Sequence, residues 1–441
     1  MRKDYDFIVA GGGTAGAIAA VSAARLGLKT LVIEKLTGLG GTQTFSLVTP
    51  YMSMCIDGPE FINSAVAEEI RLELQKRGHA DGLWFDPEMQ KSVLEEAVLA
   101  SGAEILYDTA VIGAEVVDRK IREISIFNSD GISALSAKVF ADCTGDAQLS
   151  KFCGVRMMSG NEEGINQSAS LRFELANVDL ALTGKYLKET GQKRETELPF
   201  VTFCKGNEEQ SPVLIEVIEQ AVKDGELTPL EASHIQFFSV PGCPNKAAMN
   251  CPETGAVAHV SSAEEKTRMV IRGRNSVLHI TEFFKKHVPG FENCYVGQVS
   301  SLLGIRESEH IYAEYDFTYE DAVMQRRFPD AILRTNYSID VHGGAKHLTD
   351  VKFEEAPDGK KYMEYPYRSL IPKETDNLLV AGRCAGCDFL TQASLRIQKT
   401  CQAMGEAAGI AAKLAIDERL PMNRVDGVRV REIMRERGSM L

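Results

Sequence analysis

A strand, a glycine turn, a helix and a second strand run from Tyr5 to Glu34, and this unit restricts what the chain can fold into. Phe7, Ile8, Val9 and Ala10 form a short apolar run suited to a strand buried on both faces. Gly11, Gly13 and Gly16 follow as G-x-G-x-x-G, with Thr14 and Ala15 inside the motif and Ala17, Ala19, Ala20, Ala23 and Ala24 along the helix behind it. Gly11 permits the tight turn, Gly13 lets backbone approach a pyrophosphate, and Gly16 lets the helix pack against the strand while its N-terminus faces phosphate charge. Leu31, Val32 and Ile33 make the next apolar run. Glu34 closes it, about 20 residues on, where an acid accepts hydrogen bonds from ribose hydroxyls. A glycine turn by itself says little. With a strand before it, a helix after it and Glu34 and Lys35 at the end, it reads as a dinucleotide site, NAD and FAD both open.

The 441 residues leave room for two or three domains, and 44% hydrophobic with 25% charged residues is ordinary for a globular protein. A core of that size needs no metal or disulfide staple. A net charge of -13 argues against nucleic acid or an anionic membrane as partner. No basic and apolar leader precedes Tyr5, no apolar run approaches the roughly 20 residues of a membrane span, and the ten cysteines are scattered. The expectation is a soluble cytoplasmic protein with reduced thiols and no metal site.

Further along, Gly38 to Thr42 is a second glycine-rich loop, read as a further backbone approach to the cofactor at Gly40 and Gly41. Helical spacing runs from Pro59 to Arg77, and Asp86-Pro87 opens another helix as an N-cap followed by Pro in the first turn. Ala103 to Phe140 alternates, with turns at Asp118-Arg119 and Asp130-Gly131, as an antiparallel meander does. Glu208 to Gly225 and Ala263 to His287 read as helices in a mixed region, and polar and aromatic residues gather from Asn336 to His347. Asn377 to Arg383 reads as a buried strand. Ile397 to Leu414 is then a helix carrying Ala403, Gly405, Ala407, Ala408, Gly409, Ala411 and Ala412, a stripe that implies close packing against backbone.

Four stretches together carry a family likeness: Gly11 to Gly16 with Glu34; Ala141 to Asp146; Leu303 to Ser308; and Pro366 to Pro372 followed by Asn377 to Arg383 and Ala393 to Ala412. In this order they resemble the FAD-dependent oxidoreductases of the glutathione-reductase-type flavin fold, over about residues 5 to 415. Within that group the chain is similar to flavoproteins like the flavin subunit of heterodisulfide reductase. The resemblance implies an α/β fold, with a Rossmann-like three-layer FAD-binding domain of parallel sheet plus meander. Residues 1–156 and 366–441 would form that domain discontinuously, with 157–365 as an inserted mixed α+β substrate or cap domain. It implies that Gly11, Gly13, Thr14, Ala15 and Gly16 hold the pyrophosphate, with Glu34 and Lys35 at the adenosine ribose. Gly41 and Thr42 would lie near the pyrophosphate and flavin edge, and the Val111 backbone near the adenine. Thr144, Gly145 and Asp146 would line the dinucleotide, with Gly382 and Arg383 near its ribitol and pyrophosphate. Arg396 and Ile397 would open the helix aimed at the flavin N1–C2 carbonyl, where a helix N-terminus stabilises the reduced flavin's charge by about 0.3–2 kcal/mol. Covalently flavinylated relatives such as succinate dehydrogenase carry a linking histidine before the Gly-Gly loop. Leu36 to Thr44 has none, so FAD is expected to be non-covalent.

For chemistry at flavin N5, His342 is the first candidate base. Arg306 and Glu307 either orient an anionic substrate or form an ion pair with each other. Arg396 either supports reduced flavin or grips a carboxylate. Tyr367 and Arg368 read as packing residues, and Cys384 and Cys387, although spaced C-x-x-C, as structural thiols. The function expected is hydride transfer between FAD and a small polar metabolite, an alcohol or a carboxylic acid. No second nucleotide unit is seen, so either a separate electron acceptor or donor or transient binding of NAD(P)H is expected, with a homo-oligomer left open. Fumarate-reductase-like reduction of an activated C=C bond is one alternative, and an electron-relay subunit of a larger complex is another.

Overall fold

In the computed structural model, which describes residues 4–52, 62–206, 209–343, 359 and 361–441, Asp4–Ala10 (β1) lies at the middle of a seven-stranded sheet. The helix Thr14–Arg25 (α1) returns the chain to Thr30–Ile33 (β2), which pairs parallel with β1 at Phe7↔Thr30 through Ala10↔Ile33. Glu104–Leu106 (β3) extends the sheet beyond β2. The next elements are Ala110–Val117 (β4), Lys120–Asn128 (β5) and the long Gly131–Asp142 (β6). The last part of β6 runs parallel to β1, ending at Ala10↔Asp142, while its first part pairs antiparallel with β5, and β5 with β4. Leu378–Val380 (β7) closes the other side of β6 in parallel. The fully buried Phe7, Ile8, Val9 and Ala10 explain why β1 is central, since no face of it meets water.

The meander is present, but it begins at Ala110. Ala103 to Leu106, grouped with it from the sequence, instead supplies a strand of the parallel sheet, because three residues give too little alternation to separate the two cases. The turn at Asp118-Arg119 is a two-residue hairpin loop with both φ positive, 49° and 64°.

The small-residue helix is Gln398–Glu418 (α2), and it lies backbone to backbone on α1. A Cβ on Gly405 would sit 2.1 Å from the Ala15 carbonyl oxygen, and one on Gly409 2.8 Å from that of Ala19. Ser22 Oγ donates to the Glu406 carbonyl at 3.1 Å across the same contact.

Other helices begin where side chains satisfy their first amides. Ser64 caps Ala65–Lys76, while Pro59, where the sequence pattern starts, is outside the described residues. Asp86 caps Pro87–Ala100 as expected. Ser211 caps Pro212–Lys223, so that helix starts after Glu208, which is also outside the described residues. Ala263–His287 spans the range its periodicity indicates, capped by Ser262.

A second sheet of six antiparallel strands occupies residues 173–299, with Phe203, Phe237, Phe284 and Phe291 in its core. Phe317, Phe328, Ile332 and Leu333, placed with the insert from the sequence, share the core of α1 and Phe7 instead. The strand pair Ala331–Thr335 and Met363–Pro366 completes that side.

Candidate active site

The glycine turn is fixed by backbone contacts. Gly11 has φ +92°, and its N–H donates to Ile33 O at 2.8 Å. A Cβ there would lie 2.6 Å from Cys143 O, and one on Gly16 only 1.8 Å from Gly11 O. Glu34 accepts from the Gly12 amide (2.8 Å) and the Leu36 amide (3.0 Å), so it also braces the turn. Burial pushes its carboxyl upward, against those hydrogen bonds. Lys35 beside it is exposed.

The second glycine loop folds over the first. Gly40 N–H donates to Gly12 O at 2.9 Å, Thr14 Oγ1 to Gly40 O at 3.3 Å, and a Cβ on Gly41 would reach within 3.0 Å of Gly13 Cα. Thr42 follows, its carbonyl accepting from Val48. Val111 sits on β4 opposite Ile126.

The stretches containing Thr144, Gly145, Asp146, Gly382 and Arg383 also meet. Asp146 bonds Arg383 (2.6 Å), Lys266 (2.7 Å) and Ser308 (2.8 Å). Burial opposes ionisation, but the Arg383 and Lys266 charges hold the Asp146 carboxyl far below the usual range. Gly382 has φ +98°, and a Cβ on it would stand 3.3 Å from Ala15.

These residues suit a dinucleotide. Among the described helices of eight or more residues, α1 and α2 lack a capping side chain, with Gly13 and Ile397 at their N-caps. Each other helix of that length has a Ser or Asp side chain on its first amides. Two helix ends with free amides are what a diphosphate and a negatively charged flavin edge require.

A cluster of charged side chains gathers beside the α2 N-terminus. Ser168 N–H donates to His342 O (2.9 Å), and Gln392 donates to Arg306 O (2.9 Å). Ser170 pairs with Glu253 and bridges Gly304. These contacts draw together five separated stretches, with Phe45 of the loop after Thr42 alongside through Leu302 (3.1 Å).

His342 is held through both ring nitrogens, Nδ1 to Glu253 at 2.7 Å and Nε2 to Asp340 at 3.0 Å. Asp340 also takes Tyr337 Oη (3.1 Å) and Arg396 Nη2 (3.3 Å), while Arg306 pairs with Glu253 at 3.4 Å. Burial acts upward on Glu253, but the His342 hydrogen bond and the Arg306 charge bring it down to about 2. Asp340 is likewise held low by His342 and Arg396 against its burial. His234 meets the His342 ring edge-on at 5.9 Å; burial and the Arg306 charge depress it to about 4, so it is neutral at pH 7.

The structure thus brings His342, Arg306 and Arg396 together. The Arg306–Glu307 ion pair is not found: Arg306 turns to Glu253, and Glu307 accepts from Gly160 N–H and Asn166. Cys384 and Cys387 are free, buried thiols, and burial pushes both above the ordinary thiol range. Tyr367 is buried and bonds Met422 O, and Arg368 bonds Asp330. Glu253, His234, Tyr337 and Arg172 escaped the sequence reading. Tyr337 and Asp340 lie in the polar and aromatic segment around His342, whereas Glu253, His234 and Arg172 stand in no local motif.

The model of the family described as "FAD dependent oxidoreductase" matches residues 6–434. The chain belongs to this family. It is an oxidoreductase enzyme and its cofactor is FAD. Among curated proteins, the digeranylgeranylglycerophospholipid reductase of Thermoplasma volcanium is 22% identical over 193 residues, 40% of this chain and 48% of that protein. The dihydrolipoyl dehydrogenase of Bacillus subtilis is 57% identical over 42 residues, 10% of this chain and 9% of that one. The chain therefore matches about half the length, or less, of these relatives. Among solved structures, a geranylgeranyl bacteriochlorophyll reductase-like protein from Thermoplasma acidophilum is 13% identical with a TM-score of 0.45, covering 100% of this chain and 88% of that one. The p-nitrophenol 4-monooxygenase of Pseudomonas putida is 12% identical with a TM-score of 0.48, covering 99% and 86%. Among the described residues, no helix of this oxidoreductase is long and apolar enough to cross a membrane.

Proposed function

We propose that this oxidoreductase transfers a hydride between FAD and a small polar metabolite, an alcohol or a carboxylic acid. The observation that carries the reading is His342, fixed between Glu253 and Asp340 beside the α2 N-terminus, with Arg306 and Arg396 in the same hydrogen-bonded set. FAD supplies the hydride-accepting or hydride-donating centre when bound. The chain's own groups do the rest: Gly11 to Gly16 and the Gly40–Thr42 loop grip the cofactor without a covalent link, Arg306 and Arg396 orient an anionic group, and His342 moves the proton. The parallel sheet with its meander supports the likeness to glutathione-reductase-type flavoproteins. The heterodisulfide-reductase flavin subunit remains the subgroup we would compare first.

His342 faces a carboxylate with each ring nitrogen, and Arg306 and Arg396 belong to the same hydrogen-bonded set. This supports a second reading, reduction of an activated C=C bond, in which His342 would hand a proton to the substrate and the arginines would grip a carboxylate. The test is anaerobic: oxidised enzyme is screened for bleaching of the visible flavin band by alcohols and hydroxy acids, then reduced enzyme for reoxidation by enoates. Bleaching or reoxidation by one class chooses the direction. Silence to both, with flavin still exchanging electrons with a protein partner, would replace hydride transfer with electron relay.

A further inference from the structure

Arg172 stands between Ala169–Ser170 and Phe173–Ala176, two residues after Ser170, which pairs with Glu253 and bridges Gly304. Its carbonyl accepts from Ser300 N–H at 2.9 Å. Its guanidinium is different. Nε and Nη1 are both buried without a hydrogen-bond partner, in a side chain only 6% exposed, and no carboxylate among the described residues forms a salt bridge with it. Burial and the nearby Arg306 charge lower it to about 9, which leaves it a cation at neutral pH.

The ion pairs around it show what is missing. Arg306 is matched by Glu253 and Arg396 by Asp340, which leaves Arg172 as the guanidinium of this cluster without a counter-charge among the described residues. A buried cation with unsatisfied donors is a costly arrangement, and it is relieved when an anion arrives. A guanidinium offers two parallel N–H groups to a carboxylate, and a buried one favours that pairing over contact with a neutral hydroxyl.

We infer that Arg172 anchors a carboxylate of the substrate, so that the enzyme acts on organic acids in preference to neutral alcohols. The inference rests on the hydride-transfer reading of the same site and narrows its substrate class. It also assigns roles. Arg172 binds the carboxylate, Arg306 and Arg396 help to orient it from their pairings with Glu253 and Asp340, and His342 moves the proton.

The test uses purified FAD-saturated enzyme and follows perturbation of the visible flavin spectrum. Lactate and fumarate are titrated beside their neutral amides and beside inorganic phosphate. Wild type should respond saturably to a carboxylate and not to its amide. Arg172→Gln should weaken that response roughly 10–100-fold and Arg172→Lys by a smaller factor, with FAD content unchanged. In turnover the loss should fall on KM, with kcat largely kept. Added guanidinium ion should restore part of the carboxylate response to Arg172→Ala, which a merely structural residue would not show. If Arg172→Gln fails to fold, Arg172→Lys decides by the same KM shift.

Equal binding of amide and acid, wild-type affinity in Arg172→Gln, a response to phosphate alone, or silence of both acids would each overturn the inference. So would loss of flavin from the Gln and Lys variants alike, which would place Arg172 on the cofactor. The two readings fail separately. Arg172-dependent carboxylate binding without electron transfer would remove hydride transfer and keep the anchor. Bleaching by a neutral alcohol, unchanged in Arg172→Gln, would keep hydride transfer and remove the anchor.

Discussion

Around the two glycine loops the chain works with backbone: positive-φ glycines, uncapped helix ends, and carbonyls too close for any Cβ. Around His342 it works with side chains, as Glu253, Arg306, Asp340 and Arg396 arrive from separated stretches and balance one another's charge, with Arg172 left over. The first region is intolerant of added atoms and indifferent to chemistry. The second accepts changes of shape more readily and is sensitive to the loss of one charge or one proton.

The largest effect should come from adding one carbon to the backbone region. Gly16→Ala places a Cβ 1.8 Å from the Gly11 carbonyl, where both partners are main chain and cannot step aside. We expect loss of bound FAD and of most soluble protein, read from the ratio of flavin to protein absorbance. A flavin-replete Gly16→Ala enzyme would break the contrast between the regions.

Asp146→Asn is next, because it leaves Arg383 and Lys266 facing a neutral amide at a mostly buried site. About 3–5 kcal/mol of stability should be lost in denaturant unfolding of the FAD-bound enzyme. The folded-state pKa of Asp146 is depressed, so its stabilisation is complete above the ordinary value of 3.8 and disappears only as pH falls below it. The variant should therefore differ from wild type equally at pH 6 and pH 8.

Glu253→Gln tests the side-chain region. It removes one of the two carboxylates on His342 and the partner of Arg306. We expect kcat to fall about 10²–10³-fold with FAD content intact. A variant that lost its flavin while keeping its rate per bound flavin would mean that Glu253 serves the cofactor grip.

The smallest effect concerns His234, which is depressed from 6.5 to about 4. The unfolded chain takes up this proton first as pH falls, so stability is complete above pH 6.5 and declines toward pH 4. Replacing His234 by Gln should flatten the stability profile by about 2 kcal/mol between pH 7 and pH 5, and leave neutral-pH unfolding nearly unchanged.

The same contrast explains what could be read from the sequence. Backbone sites write themselves locally: Gly11, Gly13, Gly16, Gly40 and Gly41 fall within one short stretch, and the Gly405 and Gly409 stripe announces the packing on α1. The Asp86 cap and the Ala263–His287 helix were equally local. Side-chain sites are assembled by register. Ser170↔Glu253 is a cross-strand pairing between residues with no pattern linking them, and Arg172 and His234 carry no flanking motif at all. His342, Arg306 and Arg396 were legible through family likeness alone, and their partners were not. The residues from Phe317 to Leu333 were misplaced because apolar periodicity tells that a face is buried without telling against which core.

One feature of the main sheet bears on how the enzyme is made in the cell. β6 is bordered by β1 on one side and by β7 on the other, and α2 seals α1 through Gly405. A nascent chain that has emerged only through Asp142 therefore has β6 with one edge bare, and its glycine turn lacks the helix that backs it. Such an edge invites pairing with a neighbour on the same polysome. The glycine turn is therefore backed only once residues 398–418 have folded onto it.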